Sequence, residues 1–172
     1  MWYATPWCKG SCRPMKPRRP TKNPRLEISV SRSARADWSP SRAQLRDWSC
    51  AALPSSALPA SLSIRIVGSS ASRRLNARYR GKDRPTNVLS FAGTGVLPDG
   101  IRLLGDLVIC APVVSREAKA QGKSLRAHWA HLTVHGVLHL LGMDHARAAE
   151  AGRMEQKELQ ILDRLGFSDP YA

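Results

Sequence analysis

The stretch HGVLHLLGMDH, residues 135–145, places three histidines within a short segment. On a helix, His135 and His139 are four residues apart and lie on one face, so two ring nitrogens can point toward a common position. Gly142 allows the chain to leave the helix in the left-handed conformation and turn back, which brings His145 toward the same position. Three neutral nitrogens suit Zn²⁺ and leave a fourth position for water. We therefore predict one zinc ion per chain, bound by His135, His139 and His145.

The reaction is indicated by what accompanies the histidines. The spacing HxxxHxxGxxH is that of the metzincin peptidases, but Gly136 stands where those enzymes have a general-base glutamate. Its absence argues against peptide hydrolysis by that route. Zinc on three histidines keeps its double charge and can bring the pKa of bound water toward roughly 7. With arginines to stabilise an anion, this favours phosphodiester hydrolysis, either by attack of water on phosphorus or by deprotonation of a ribose 2′-OH.

The charge of the chain indicates a polyanionic partner. It has 27 Lys and Arg against 13 Asp and Glu, a formal net charge of +14. Residues 73–84 are dense in arginine and lysine and contain one carboxylate, that of Asp83. Such a local field favours nucleic acid. The sequence has no apolar run of membrane-spanning length and no apolar segment typical of a secretory signal, which predicts a cytoplasmic protein without a membrane partner.

Hydrophobic periodicity predicts the elements that position these groups. Alternating patterns predict four strands, at residues 26–31, 61–68, 87–93 and 102–110, with the last two forming a hairpin. Helical patterns follow Ser39 (as N-cap, to about Leu53), at 70–79, at 112–121, after Ser124 to about Leu141, and at about 146–165. The order predicts an α+β fold, a small mixed sheet of about four strands packed with about five helices, with the metal site at the end of a C-terminal helix.

Domain organisation follows from composition. Residues 1–25 carry seven basic side chains and no acid, with several prolines and no hydrophobic period. We predict a disordered basic extension over residues 1–24 and a single domain over residues 25–172.

These motifs resemble a known family. HGVLHLLGMDH, YRGKDRPTNVLSF (79–91), LLGDLVIC (103–110) and AHWAH (127–131) are similar to the YbeY family of bacterial rRNA-maturation endoribonucleases. The resemblance runs from about residue 75 to residue 171 and is weaker from residue 26 to residue 75. It departs from the family pattern in the long N-terminus, in a short loop between residues 91 and 102, and at Met143, where an aromatic is common.

The resemblance implies a zinc-dependent, single-strand-specific endoribonuclease that acts in maturation of the 3′ end of small-subunit (16S) rRNA and in ribosome quality control. Its partners would be RNA, the small subunit and associated proteins. The family's zinc ligands map onto His135, His139 and His145, and its functionally important arginine maps onto Arg80. These four residues are the predicted catalytic set.

Two other functions remain open from the sequence. One is a non-enzymatic ribosome assembly factor whose zinc only stabilises the last helices. The other is a metzincin-like amide hydrolase that recruits Asp106 or Asp144 as its base. His131, one turn before His135, either orients a ligand or contacts substrate, or is a partly buried helix histidine. Asp144 either accepts a hydrogen bond that orients an imidazole or belongs only to the turn, and Asp106 is either a site group or an edge-strand carboxylate.

Overall fold

The protein is described by a computed structural model over residues 25–34, 38–143 and 148–171. The predicted N-terminal extension, residues 1–24, lies outside the described residues. The domain boundary at residue 25 therefore stays a prediction.

A four-stranded mixed sheet forms the centre of the fold. The strands are β1 (Leu26–Arg32), β2 (Ala60–Val67), β3 (Val88–Ala92) and β4 (Arg102–Cys110), in the order β1-β2-β4-β3. β1, β2 and β4 are parallel, and β3 pairs antiparallel with β4, as the predicted hairpin requires. β3 is therefore an edge strand.

Five α-helices accompany the sheet in the described residues. They are α1 (Arg42–Ala52), α2 (Ser69–Arg80), α3 (Ala111–Ala120), α4 (Leu125–Leu140) and α5 (Ala148–Arg164). The predicted α+β class, with about four strands and about five helices, is confirmed. None of the described helices combines the length and apolar character needed to cross a membrane.

The start of α1 differs from the prediction. Its N-cap is Ser41 rather than Ser39, because Ser41 and Gln44 complete a capping box. The Ser41 Oγ accepts from the Gln44 amide at 3.2 Å, and the Gln44 side chain accepts from the Ser41 amide at 2.9 Å. Ser39 has an arginine three residues later, which cannot make the reciprocal bond.

α4 is the central helix, and it lies directly on the sheet. It is buried around most of its circumference, and it packs against α1, α3 and α5 as well as β3 and β4. At Gly136 a Cβ atom would lie 2.8 Å from Leu107 Cδ2, and the Ser90 hydroxyl donates to the Gly136 carbonyl at 3.3 Å. A larger residue at position 136 would require the buried Leu107 side chain to move, so the close approach of helix and strand favours glycine here.

α2 covers the opposite face of the sheet. Ala71 and Leu75 of α2 pack on a smaller apolar cluster that includes Leu89, Val108 and Val113. The helix ends at Gly81, whose φ of +67° is left-handed. The sheet thus separates the arginine-rich helix from the histidine-bearing helix.

Candidate metal centre

The helical spacing of α4 sets four histidines along one stripe, at positions 128, 131, 135 and 139. The Nε2 atoms of His135 and His139 are 3.1 Å apart. Two nitrogens bound at 2.0–2.1 Å to one tetrahedral zinc ion are separated by roughly 3.3 Å. The structure therefore brings this pair of predicted ligands to nearly the separation that a shared ion requires.

The third predicted ligand is His145, in the predicted turn after α4. Both His145 and Asp144 lie outside the described residues. Their roles remain predictions.

The structure adds a carboxylate to the histidines. Glu158 of α5 is 1% exposed, and its Oε1 lies 2.8 Å from His135 Nδ1. Its Oε2 lies 2.9 Å from His131 Nε2 and also accepts from the Tyr171 hydroxyl. Because an ionised carboxylate only accepts, the facing ring nitrogen of each histidine must carry a proton.

Glu158 and Tyr171 were missed by the sequence reasoning. A signal for Glu158 was present, because it lies on the buried stripe of α5 with Met154, Ile161 and Leu162. A carboxylate is costly in such a position unless it has partners. No comparable signal marked Tyr171.

The carboxylate is ionised at neutral pH. Burial raises the pKa of Glu158, but the hydrogen bonds from His131, His135 and Tyr171 outweigh burial and lower that pKa to about 2. Burial and the neighbouring Glu158 charge raise the pKa of Tyr171, so its hydroxyl stays protonated and can donate.

The described residues can hold a metal ion. Ligand atoms of His131, His135 and Glu158 all lie within 4.8 Å of one another. Imidazole and carboxylate are both common ligands of zinc and related ions. An ion between His135 and His139 leaves the hydrogen bonds of Glu158 intact, whereas an ion inside the His131–His135–Glu158 cluster replaces them.

A groove of about 640 Å³ runs beside these residues toward the start of α4. His128 lies in it, with its Nε2 3.0 Å from Glu117 Oε2, and the Asn87 amide donates to the same oxygen at 3.1 Å. Burial lowers the pKa of His128, and the Glu117 carboxylate partly opposes this effect. A second histidine–carboxylate pair thus lies about two turns from His135 along the same helix.

Comparison with known proteins places the chain in a family. The family model for endoribonuclease YbeY matches residues 33–166. The chain is 52% identical over 157 residues to the endoribonuclease YbeY of Stenotrophomonas maltophilia (strain R551-3), a match that covers 88% of this chain and 98% of that protein. It is 54% identical over the same length and coverage to the endoribonuclease YbeY of Xanthomonas campestris pv. campestris (strain B100). This chain belongs to the endoribonuclease YbeY family.

Membership of the YbeY family confirms the resemblance carried by the sequence motifs, and with it the prediction of a nuclease, a hydrolase of phosphodiester bonds. The chain is also similar to the solution structure of a Thermotoga maritima protein, at 19% identity and a TM-score of 0.47, covering 84% of this chain and 97% of that one.

Within this YbeY-family chain, Arg80 is separated from the histidines by the edge strand. Arg80 is the exposed last residue of α2. The ring of the preceding Tyr79 packs against Phe91 of β3 at 4.9 Å, and the adjacent Ser90 binds Gly136 of α4. β3 therefore lies between Tyr79, the residue before Arg80, and the helix that carries His135.

Asp106 is not placed with the histidines. It is exposed on β4 opposite Phe91, next to Leu107. Since side chains alternate along a strand and Leu107 faces α4, Asp106 faces the α2 side of the sheet. The sequence hypothesis of Asp106 as a base at the metal has no support from this position.

Proposed function

We propose that this protein is a zinc-dependent, single-strand-specific endoribonuclease that matures the 3′ end of 16S rRNA and serves ribosome quality control in the cytoplasm. The observation that carries the proposal is the 3.1 Å convergence of His135 Nε2 and His139 Nε2 in a chain whose relatives are named endoribonucleases. Its partners are single-stranded rRNA and the small ribosomal subunit with its associated proteins.

The proposed metal ligands are His135, His139 and His145. The donor set fits zinc, because imidazole nitrogens are common zinc ligands and the Nε2 atoms of His135 and His139 lie 3.1 Å apart. When bound, the ion supplies Lewis-acid activation of water and of the scissile phosphate. The protein contributes by holding the ligands on one rigid helix and by orienting the RNA strand.

The proposed RNA-binding surface is the exposed side of α2 and the turn after it. Its exposed basic residues are Arg73, which forms a salt bridge with Asp83, and Arg74, Arg78, Arg80, Lys82 and Arg84. Tyr79 is 55% exposed among them, and the Arg78 guanidinium lies 5.4 Å from its ring centroid. Arginines and an exposed aromatic together suit single-stranded RNA, since they bind phosphates and stack bases. Arg80, the last residue of α2, is proposed to position a phosphate oxygen and to stabilise its developing charge.

The test incubates zinc-loaded protein with a single-stranded RNA, with the duplex of the same sequence, and with a peptide library that detects amide hydrolysis. The His139→Ala variant is assayed in parallel. We expect cleavage of the single strand alone, and loss of both zinc and cleavage in the variant. Undiminished stoichiometric zinc in His139→Ala contradicts the ligand assignment. Zinc binding without cleavage of any RNA favours the assembly-factor function instead.

The ends of the RNA products distinguish the two chemical routes. Attack by the neighbouring 2′-OH leaves a 2′,3′-cyclic phosphate, whereas attack by water leaves linear phosphate ends. Mass spectrometry of short cleavage products reads this difference directly.

A further inference from the structure

The buried carboxylate of α5 has a role that the proposed function does not include. We propose that Glu158, fixed in place by His131 and Tyr171, is a positioning residue that sets the ring orientation and tautomer of His135 and so aims His135 Nε2 at the metal ion. This inference rests on the metal site of the proposed function. It assigns to Glu158 a contact with a ligand, not with the ion.

The first step is to determine which ring nitrogen of His135 bears the proton. Glu158 Oε1 lies 2.8 Å from His135 Nδ1, so the proton of a neutral His135 stays on Nδ1. The lone pair is then on Nε2, the atom that lies 3.1 Å from His139 Nε2. With the proton on Nε2 instead, His135 could not coordinate in the direction of His139.

The second step is that the carboxylate itself cannot rotate away. Its other oxygen accepts from His131 Nε2 at 2.9 Å and from the Tyr171 hydroxyl. These donors come from α4 and from the segment after α5, so two parts of the chain hold the carboxylate on the side away from His135. His131 thus acts on the metal site through Glu158. Its position one turn before His135 on α4 allows both histidines to bind the same carboxylate.

The third step is the burial of the charge. A carboxylate that is 1% exposed is costly unless charge and hydrogen bonds compensate it. Its partners in the described residues are two imidazoles and a phenol, none of them a fixed cation. A divalent ion on the far side of the His135 ring would add positive charge next to this network, and the carboxylate would in turn make the imidazole a stronger ligand.

The experiment measures zinc affinity by competition with a chelator, and the His135 tautomer by long-range proton–nitrogen NMR of the zinc-free protein. Glu158→Leu removes both acceptor oxygens with an apolar side chain that suits a buried site, and Glu158→Gln removes the charge but keeps one acceptor. Tyr171→Phe removes one of the donors that hold the carboxylate. Glu155→Gln is the matched control, because Glu155 lies one turn earlier on α5 and lines the same groove.

We expect Glu158→Leu to weaken zinc binding by about 10- to 100-fold and to convert His135 from the Nδ1–H form to a mixture. Glu158→Gln should fall between this variant and the unmodified protein, and Tyr171→Phe should have the smallest effect of the three. Glu155→Gln should leave both readouts unchanged. Circular dichroism melting of each variant establishes that it is folded.

Unchanged zinc affinity and unchanged tautomer in folded Glu158→Leu would overturn the proposal. X-ray absorption of the zinc-loaded protein provides a second way to overturn it: a carboxylate oxygen bound to zinc that disappears in Glu158→Gln makes Glu158 a ligand. Neither readout uses RNA, so a protein that binds zinc as described but cleaves no RNA refutes the proposed function and leaves this inference standing.

Discussion

At the scale of residues, the site depends on where protons lie on the histidine rings. His128 Nε2 faces Glu117, while His131 Nε2 and His135 Nδ1 face Glu158. The remaining nitrogens of His128 and His131 are buried and have no partner among the described residues. The second nitrogen of His135, in contrast, faces His139. His135 is thus the residue that joins the carboxylate network to the proposed metal ligands.

His128 predicts a pH dependence of stability. Burial lowers the pKa of His128 in the folded protein, so the unfolded chain binds this proton first, near its ordinary pKa of 6.5. The contribution of neutral His128 to the free energy of unfolding is then fully present above about pH 6.5. It is lost as the pH falls from there toward the lower pKa of His128 in the folded protein. Urea unfolding of the zinc-free proteins at about pH 7.5 and about pH 5.5 measures this effect. The free energy of unfolding should fall further between these two pH values in the unmodified protein than in the His128→Gln variant. Equal losses in the two proteins would contradict the prediction.

Arg80 predicts a selective loss of catalysis. If Arg80 stabilises charge on the phosphate, Arg80→Ala should lower kcat/KM by about 10²–10³-fold and leave zinc content unchanged. Arg80→Lys should recover part of the rate, because it restores the charge without the planar guanidinium. Arg153→Ala, an exposed arginine of α5, is the control and should cleave normally. Single-turnover cleavage of a fluorescent RNA measures all three, and full activity in Arg80→Ala would refute the role.

At the scale of elements, local sequence patterns were sufficient for the strands, the helices and the fold class, but not for the strand order or for the complete site. Strand alternation, Ser124 capping and the Gly-bearing hairpin loop are local signals, and the structure has the corresponding elements. The convergence of His135 and His139 is also local, since it follows from a four-residue spacing on one helix. The Glu158–His135 contact joins residues that are 23 apart in sequence and depends on how α5 packs on α4. Periodicity alone does not determine that packing.

The contact between α4 and β4 makes a prediction about Gly136. A glutamate there would put its Cβ 2.8 Å from Leu107 Cδ2, and Leu107 is fully buried. Gly136→Glu should therefore lower the free energy of unfolding by about 1–3 kcal/mol, because the core around Leu107 would be overpacked. Urea denaturation measures this loss, with the exposed Gly152→Ala on α5 as a control that has open space around its Cβ position. A stable Gly136→Glu protein would show that the helix can move away from the sheet.

At the scale of the whole molecule, two clusters of charged side chains lie on different elements. Arg73, Arg74, Arg78 and Arg80 are exposed on α2, while Glu117, Glu155 and Glu158 line the groove beside α4 together with Lys123. If α2 binds the RNA strand as proposed, the strand must also extend to the α4 side of the sheet to reach the histidines. Long-range attraction between the RNA strand and these arginines weakens with added salt.

The N-terminal extension should contribute to RNA affinity and not to the chemistry. Residues 1–25 carry seven basic side chains that can bind phosphates without sequence preference. A chain that starts at Arg25 should retain zinc and cleavage, but its RNA affinity should depend less steeply on salt, by about 0.7 in the log–log slope for each phosphate that the extension neutralises. Fluorescence anisotropy at several salt concentrations measures the slope. Loss of zinc or of folding on truncation would place the extension inside the domain.

Gly136 also bears on whether this protein could acquire a different hydrolytic activity by mutation. Conversion to the HExxH pattern of a metallopeptidase requires a glutamate at position 136, and its Cβ would lie 2.8 Å from Leu107 Cδ2, so the buried Leu107 side chain would have to move. A smaller residue at position 107 would make room, but alone it would leave a cavity in the core and destabilise the protein. The two hydrolytic chemistries share a histidine spacing, and an exchange between them involves the packing of the core as well as the catalytic residue.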